Sequence, residues 1–251
     1  MDIDLTGKIA VVTGATGQLG RVMARTFASC GADVAVCYAQ NAAMADTLVN
    51  EITGMGRRAV AAQVDVTSET SVNAMRDVVK SSLGDADIVV NNAVIQYDWK
   101  FVLKQDPDDF RSQFDSCVMQ SVFTAKAFLP AMQAKGGGRF IGINSECSLI
   151  CGETMGAYAA GKRGMDGLYR VLAHEAGKSG VTVNQVAPGW TISDKDCEHP
   201  GDAAPAYIDG VPMGRRGTDQ EIANVVLFLA SELASFVTGV LIPVCGGAVM
   251  A

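Results

Sequence analysis

Short apolar runs alternating with turns and amphipathic helices predict an α/β chain, built as a doubly wound parallel sheet of seven strands with helices on both faces. Three observations carry that expectation. The apolar runs are continuous rather than alternating, as in strands buried on both faces. Hydrophobic residues make up 49% of the chain and charged residues 19%, enough for a large core and unlike a disordered protein. No long linker, repeat or low-complexity segment breaks the alternation, so residues 1–251 are expected to form one domain.

Taken in order, Lys8 to Thr13 is the first buried strand. Gly14, Ala15, Thr16, Gly17, Gln18, Leu19 and Gly20 follow it and open a helix. Strand, glycine turn and helix together form the setting in which backbone N–H groups approach a pyrophosphate at a helix N-terminus. Val34 to Tyr38 is the second strand. A carboxylate at its end would bond the ribose 2′-hydroxyl of NAD, but Tyr38, Ala39, Gln40 and Asn41 stand there, which tilts the choice towards NADP and leaves NAD open.

A helix over 42–55 and a third strand over 58–64 lead to Asp65 and Val66. Asp65 either contacts the adenine end of a dinucleotide or caps the next turn. Ser68 then opens a helix to Leu83. The fourth strand, Asp87 to Asn91, runs into Asn92, Ala93 and Val94 at the edge where open parallel sheets bind ligands. The aromatic loop Ile95 to Trp99 is placed to wall a pocket. Pro107 to about Met132 reads as one long helix whose Phe110, Phe114 and Val118 stripe is core or subunit interface.

The fifth strand, Arg139 to Asn144, delivers Ser145. Tyr158 and Lys162, four residues apart on the next helix, share a face. A phenol has a pKa of about 10, and a nearby ammonium favours its phenolate, so the pair suits proton transfer at a substrate oxygen. Glu146 and Cys147 fall on the substrate side. Gly161, Gly164 and Gly167 permit close helix packing. The sixth strand ends in Pro188, Gly189 and Trp190, and Thr191 and Ser193 are placed to meet a cofactor. Asp194 to Gly210 loses hydrophobic periodicity and reads as a mobile substrate lid. Asp219 to Ser231 is the last helix, and Val237 to Val244 the seventh strand.

A net charge of −7 argues against nucleic acid and anionic membranes. Seven scattered cysteines and two histidines argue for reduced thiols and against a metal site. The start of the chain lacks a signal peptide pattern, and no apolar run is long enough to span a bilayer, so a cytoplasmic protein is expected.

With these pieces together, the chain resembles the short-chain dehydrogenase/reductases of the single-domain Rossmann type. The resemblance rests on Gly14 to Gly20, Asp65, Asn91 to Ala93, Ser145, Tyr158 and Lys162, Asn184, Pro188 and Gly189, and the glycines at Gly214 and Gly246. It implies hydride transfer between NAD(P)(H) and a ketone or secondary alcohol. Tyr158 would be the general acid/base, with Lys162 lowering its pKa and holding the nicotinamide ribose, and Ser145 would orient the substrate oxygen. Cofactor contacts are expected from Gly14, Thr16, Gly17, Gln18, Leu19, Gly20, Tyr38, Asp65, Val66, Asn92, Ala93, Val94, Tyr158, Lys162, Pro188, Gly189, Thr191 and Ser193. Gln96, Glu146, Cys147 and Trp190 are the expected substrate pocket, and a homotetramer is the implied assembly.

Three positions depart from that pattern. Gln18 and Val94 stand where the family usually has glycine, and Cys117 takes the place of its fourth catalytic residue, an asparagine. These favour a second class, a dinucleotide-binding sensor or scaffold with little catalysis. The intact Ser145, Tyr158 and Lys162 oppose it. A lyase or epimerase on the same scaffold is a third class. The acidic residues of the candidate lid favour a small or medium free ketone or polyol over a substrate on an acidic carrier protein.

Overall fold

The computed structural model describes residues 3–192 and 205–250. Seven strands form one sheet: β1 (Ile9–Val12), β2 (Asp33–Tyr38), β3 (Ala59–Gln63), β4 (Ile88–Asn91), β5 (Gly138–Ile143), β6 (Val181–Pro188) and β7 (Leu241–Val244). Their order is β3-β2-β1-β4-β5-β6-β7, and every pairing is parallel. The order reverses between β1 and β4, which leaves a crevice beyond their carboxyl ends.

The two faces of β1 explain the layers. Ala10 and Val12 point into a core with Met23 and Phe27 of α1 (Gln18–Ser29), Leu48 and Ile52 of α2 (Ala42–Gly54), and a late helix. Ile9 and Val11 point into a second core with α3 (Glu69–Ser82) and the helices that follow. Apolar burial on both faces is why these strands read as unbroken hydrophobic runs.

The single helix expected over Pro107 to Met132 is divided. α4 (Pro107–Phe114) and α5 (Gln120–Lys135) are joined by a π-helical turn, Asp115–Met119. That wider turn keeps Cys117 and Val118 buried but leaves Phe114 48% exposed, so the stripe is not continuous core. Beyond β5 come α6 (Cys147–Ile150) and α7 (Gly156–Ala176). Gly161 and Gly164 of α7 pack closely on α4 and the π turn, whereas Gly167 faces open space. Most of the expected lid, residues 194–204, lies outside the described residues. Its last part forms α8 (Pro205–Ile208), so helical order returns before Gly210. α9 (Asp219–Ala230) follows a capping box of Thr218 and Glu221, and packs on α1. Among the described residues, no helix is long and apolar enough to cross a membrane.

Candidate active site

Where β5 ends, Asn144 fixes the local geometry. Its side chain accepts the Ser145 N–H at 2.8 Å and donates to the Lys162 carbonyl at 3.0 Å and to Gln185 Oε1 at 2.7 Å. Gln185 donates in turn to Asp166 of α7 at 3.0 Å. One buried amide thus ties β5, β6 and α7 together, setting Ser145 against the helix that carries the phenol. Sequence spacing gives no sign of Asn144 in this role.

Tyr158 lies in the first turn of α7, where backbone N–H groups lack helical partners. Its own N–H donates to the Tyr97 hydroxyl at 2.9 Å, and its ring lies 5.6 Å from that of Trp99. One turn later, Lys162 is buried, donates to the Ile143 carbonyl at 2.6 Å and stands 5.5 Å from the Tyr158 ring centroid.

Lys162 pulls the phenol down, in the direction expected, but does not set the net shift. Burial pushes the Tyr158 hydroxyl above its ordinary range, and Lys162 and a hydrogen bond with Ser145 only partly offset it. For Lys162, burial pulls the ammonium down, but Cys117, Tyr158 and Cys147 around it outweigh burial and hold it above its usual range.

Ser145 and Tyr158 open onto a cavity of about 530 Å³. Gln96, Glu146, Cys147 and Trp190, the four residues expected to form a substrate pocket, all line it. So do Tyr97, Trp99, Ile150, Met155 and Tyr207. Tyr207 escaped the sequence reading because it lies in a segment without periodicity. Its hydroxyl accepts the Trp190 N–H at 2.9 Å and is hydrogen-bonded to the Glu146 carboxyl. Burial pushes the Cys147 thiol up, against a hydrogen bond with Ser145.

A second cavity, of about 620 Å³, is lined by Gly14, Tyr38, Ala39, Gln40, Asp65, Val66, Ala93, Val94 and Ile95. Ile95 borders both cavities, so the two adjoin along the carboxyl edge of the sheet. Gly14 has φ +62°, and a Cβ there would lie 2.9 Å from the Ala93 Cα. That close approach brings the ends of β1 and β4 together. α1 begins with no side-chain cap and no acidic residue in its first turn, so its N-terminal N–H groups suit an anion. These residues fit an extended dinucleotide with its pyrophosphate at α1.

Several expected cofactor residues have structural partners. Asn92 donates its side chain to the Thr13 and Gly14 carbonyls, bracing the glycine turn. Asn91 is buried between Tyr169 and Thr124. The Asp65 carboxylate accepts from the N–H and hydroxyl of Thr67, which caps the turn, although Asp65 also faces the second cavity. Thr16 offers its carbonyl to Arg21, and Leu19 packs on the core. Gln18 is the first residue of α1, where glycine is not required, and its amide donates to Ile192 and Asp219. Thr191 pairs with Gly217 across an isolated bridge. Pro188 accepts the Glu146 N–H through its carbonyl, and Gly189 lines the substrate cavity. Ser193 lies outside the described residues. Cys117 is buried in the π turn.

A doubly wound parallel sheet that carries this phenol and ammonium at the far end of its ligand crevice defines an oxidoreductase of carbonyl and alcohol groups. A family model described as Enoyl-(Acyl carrier protein) reductase matches residues 14–249. The chain is 36% identical to the 3-oxoacyl-[acyl-carrier-protein] reductase of Pseudomonas aeruginosa over 248 residues, covering 99% of this chain and 100% of that protein. It is 35% identical to the 7alpha-hydroxysteroid dehydrogenase of Escherichia coli over 250 residues, covering 99% and 96%. The chain belongs to the short-chain dehydrogenase/reductase family, whose members use NAD(P) as the hydride carrier.

Proposed function

We propose that the whole chain acts as one dinucleotide-binding and catalytic unit that interconverts a small or medium free ketone and its secondary alcohol. The observation that carries this reading is that Ser145 and Tyr158 line one cavity, with the Lys162 ammonium behind the phenol. The bound nicotinamide supplies or accepts the hydride. Ser145 holds the substrate oxygen by its hydroxyl. Tyr158 gives its proton to that oxygen in the reductive direction and takes it back in the oxidative one. Lys162 stays charged, offsets the negative charge that develops on the phenol, and would hold the nicotinamide ribose. Gly14, Tyr38, Asp65, Val66, Ala93 and Val94 would hold the adenosine half, and the first turn of α1 the pyrophosphate.

NADP is the preferred carrier in this reading. Among the described residues that line the second cavity, Asp65 is the only acid, and it is engaged by Thr67; Tyr38, Ala39 and Gln40 carry no charge to repel a 2′-phosphate. A homotetramer in the cytoplasm is the assembly and location we assign.

Tyr158→Phe tests the assignment. Turnover, followed by nicotinamide absorbance over a panel of ketones, should fall by roughly a thousandfold or more. Dinucleotide binding, followed by fluorescence, should be largely retained. Unchanged turnover would remove Tyr158 from the reaction.

A further inference from the structure

Glu146 is an ionisable group that the proton transfer above does not use. It is only 3% exposed, sits directly after Ser145 and lines the same cavity. One carboxyl oxygen, Oε2, is buried and has no hydrogen-bond partner among the described residues. The other anchors are in place. The Glu146 N–H donates to the Pro188 carbonyl at 2.9 Å, and the carboxyl is approached by the Tyr207 hydroxyl and by the Trp190 N–H, which also donates to Tyr207 at 2.9 Å. A carboxyl fixed by its neighbours with one oxygen unpartnered is costly to bury, and such a group is ordinarily matched by a donor.

The rest of the lining narrows the donor. Ile95, Ile150 and Met155 are aliphatic, and Tyr97, Trp99 and Trp190 are aromatic. Among the described residues no Lys or Arg lines the cavity, and Glu146 is the only carboxyl there. An anionic substituent would meet the carboxyl unfavourably, whereas an O–H or N–H donor would satisfy it.

Resting on the proposed ketone–alcohol reaction, we infer that Glu146 is a specificity-determining residue that accepts a hydrogen bond from a second polar group of the substrate, a hydroxyl or an ammonium. Ser145 and Glu146 line the same cavity and are adjacent in the chain, so the donor belongs a few bonds from the reacting carbonyl. Satisfying a buried polar group discriminates strongly against an analogue that lacks the donor, because the unpaired group is then left without water.

The test compares 4-methylcyclohexanone, 4-hydroxycyclohexanone and 4-aminocyclohexanone with the parent, Glu146→Gln and Glu146→Leu, all loaded with dinucleotide. Both binding, by calorimetry, and kcat/KM are read. The parent should favour one donor-bearing ketone over the methyl compound by at least about tenfold, expressed mainly in KM and in Kd. Glu146→Leu should abolish that preference and improve use of the methyl compound. A hydroxyl preference kept by Glu146→Gln assigns a neutral donor, and an ammonium preference lost in Glu146→Gln assigns a cation. Equal use of all three ketones by the parent, or a preference that survives in Glu146→Leu, overturns the inference. Donor-selective binding that depends on Glu146 without turnover upholds the inference and rejects the reaction. Absence of binding by all three overturns the inference.

Discussion

The Lys162 ammonium stands 5.5 Å from the centroid of the Tyr158 ring and is held there by the Ile143 carbonyl at 2.6 Å. Burial raises the phenol, and Lys162 is the largest influence pulling it back. Alcohol oxidation needs the deprotonated phenol, so its rate should rise with pH on an alkaline limb. Ketone reduction needs the protonated form and should fall over the same range. Lys162→Met removes the opposing charge, and the oxidation limb should then move to higher pH. Rate–pH profiles of both proteins decide this. A limb that stays in place would show that the ammonium does not tune the phenol.

Glu146 makes a prediction about stability that is separate from its role in recognition. Burial, opposed by hydrogen bonds from Tyr207 and Trp190, raises its pKa above the ordinary 4.5. A raised folded-state pKa means that both states are protonated below the unfolded value, and that the fold loses stability as pH rises through the folded value. Glu146→Gln carries no such penalty. Chemical denaturation should find it more stable than the parent at pH 8, with the gap shrinking steadily towards pH 4. A gap independent of pH would mean that the carboxyl is not destabilised by burial.

At the N-terminus of α9 the opposite sign holds. Glu221 is pulled down to about 2, first by its hydrogen bond with Arg215 and then by the Thr218 N–H. The stability it contributes is present above the ordinary carboxylate value and is lost as pH falls through about 2. Because the carboxylate is exposed, the gain is small and screened by salt. The larger contribution is the Thr218 cap, which accepts the Glu221 N–H at 3.3 Å while Glu221 accepts the Thr218 N–H at 2.9 Å. Thr218→Ala should cost about 1 kcal/mol in urea denaturation at neutral pH. A loss of less than a few tenths would mean that packing of α9 on α1 sets its stability without the cap.

Much of this architecture is legible in the chain because it follows local periodicity. Buried strands, the glycine turn and the four-residue spacing of Tyr158 and Lys162 depend on neighbours in sequence. The Asn144 link to Gln185 and Lys162, the Tyr97 hydroxyl at the start of α7, and Tyr207 against Glu146 join residues distant in sequence. Nothing periodic marks them. The π turn at Asp115–Met119 is hidden for another reason: apolar residues continue through it at nearly helical spacing, so only the exposure of Phe114 betrays the break. The direction of the Tyr158 shift was illegible because sequence supplies the lysine but not the depth of burial that outweighs it.

Two glycines of α7 look alike in sequence and should respond oppositely to alanine. A Cβ at Gly161 would lie 2.8 Å from the Gln113 carbonyl oxygen, a backbone atom of α4 that cannot move without the helix. Gln113 is fully buried and donates its side chain to the Ile95 carbonyl at 2.7 Å, in the loop bordering both cavities. Gly161→Ala should therefore cost about 1–3 kcal/mol through overpacking. It should also lower kcat/KM, because Lys162 is the next residue and Tyr158 lies one turn away. At Gly167 nothing lies within 4 Å of the added Cβ, and the residue is exposed in a helix interior. Gly167→Ala should add about 0.5–1 kcal/mol by restricting the unfolded chain and improving helix propensity, with turnover unchanged. Thermal and urea denaturation of the two variants, run beside steady-state assays, check the pair. Loss of stability at Gly167 similar to that at Gly161 would mean that its outward face is covered by another copy of the chain.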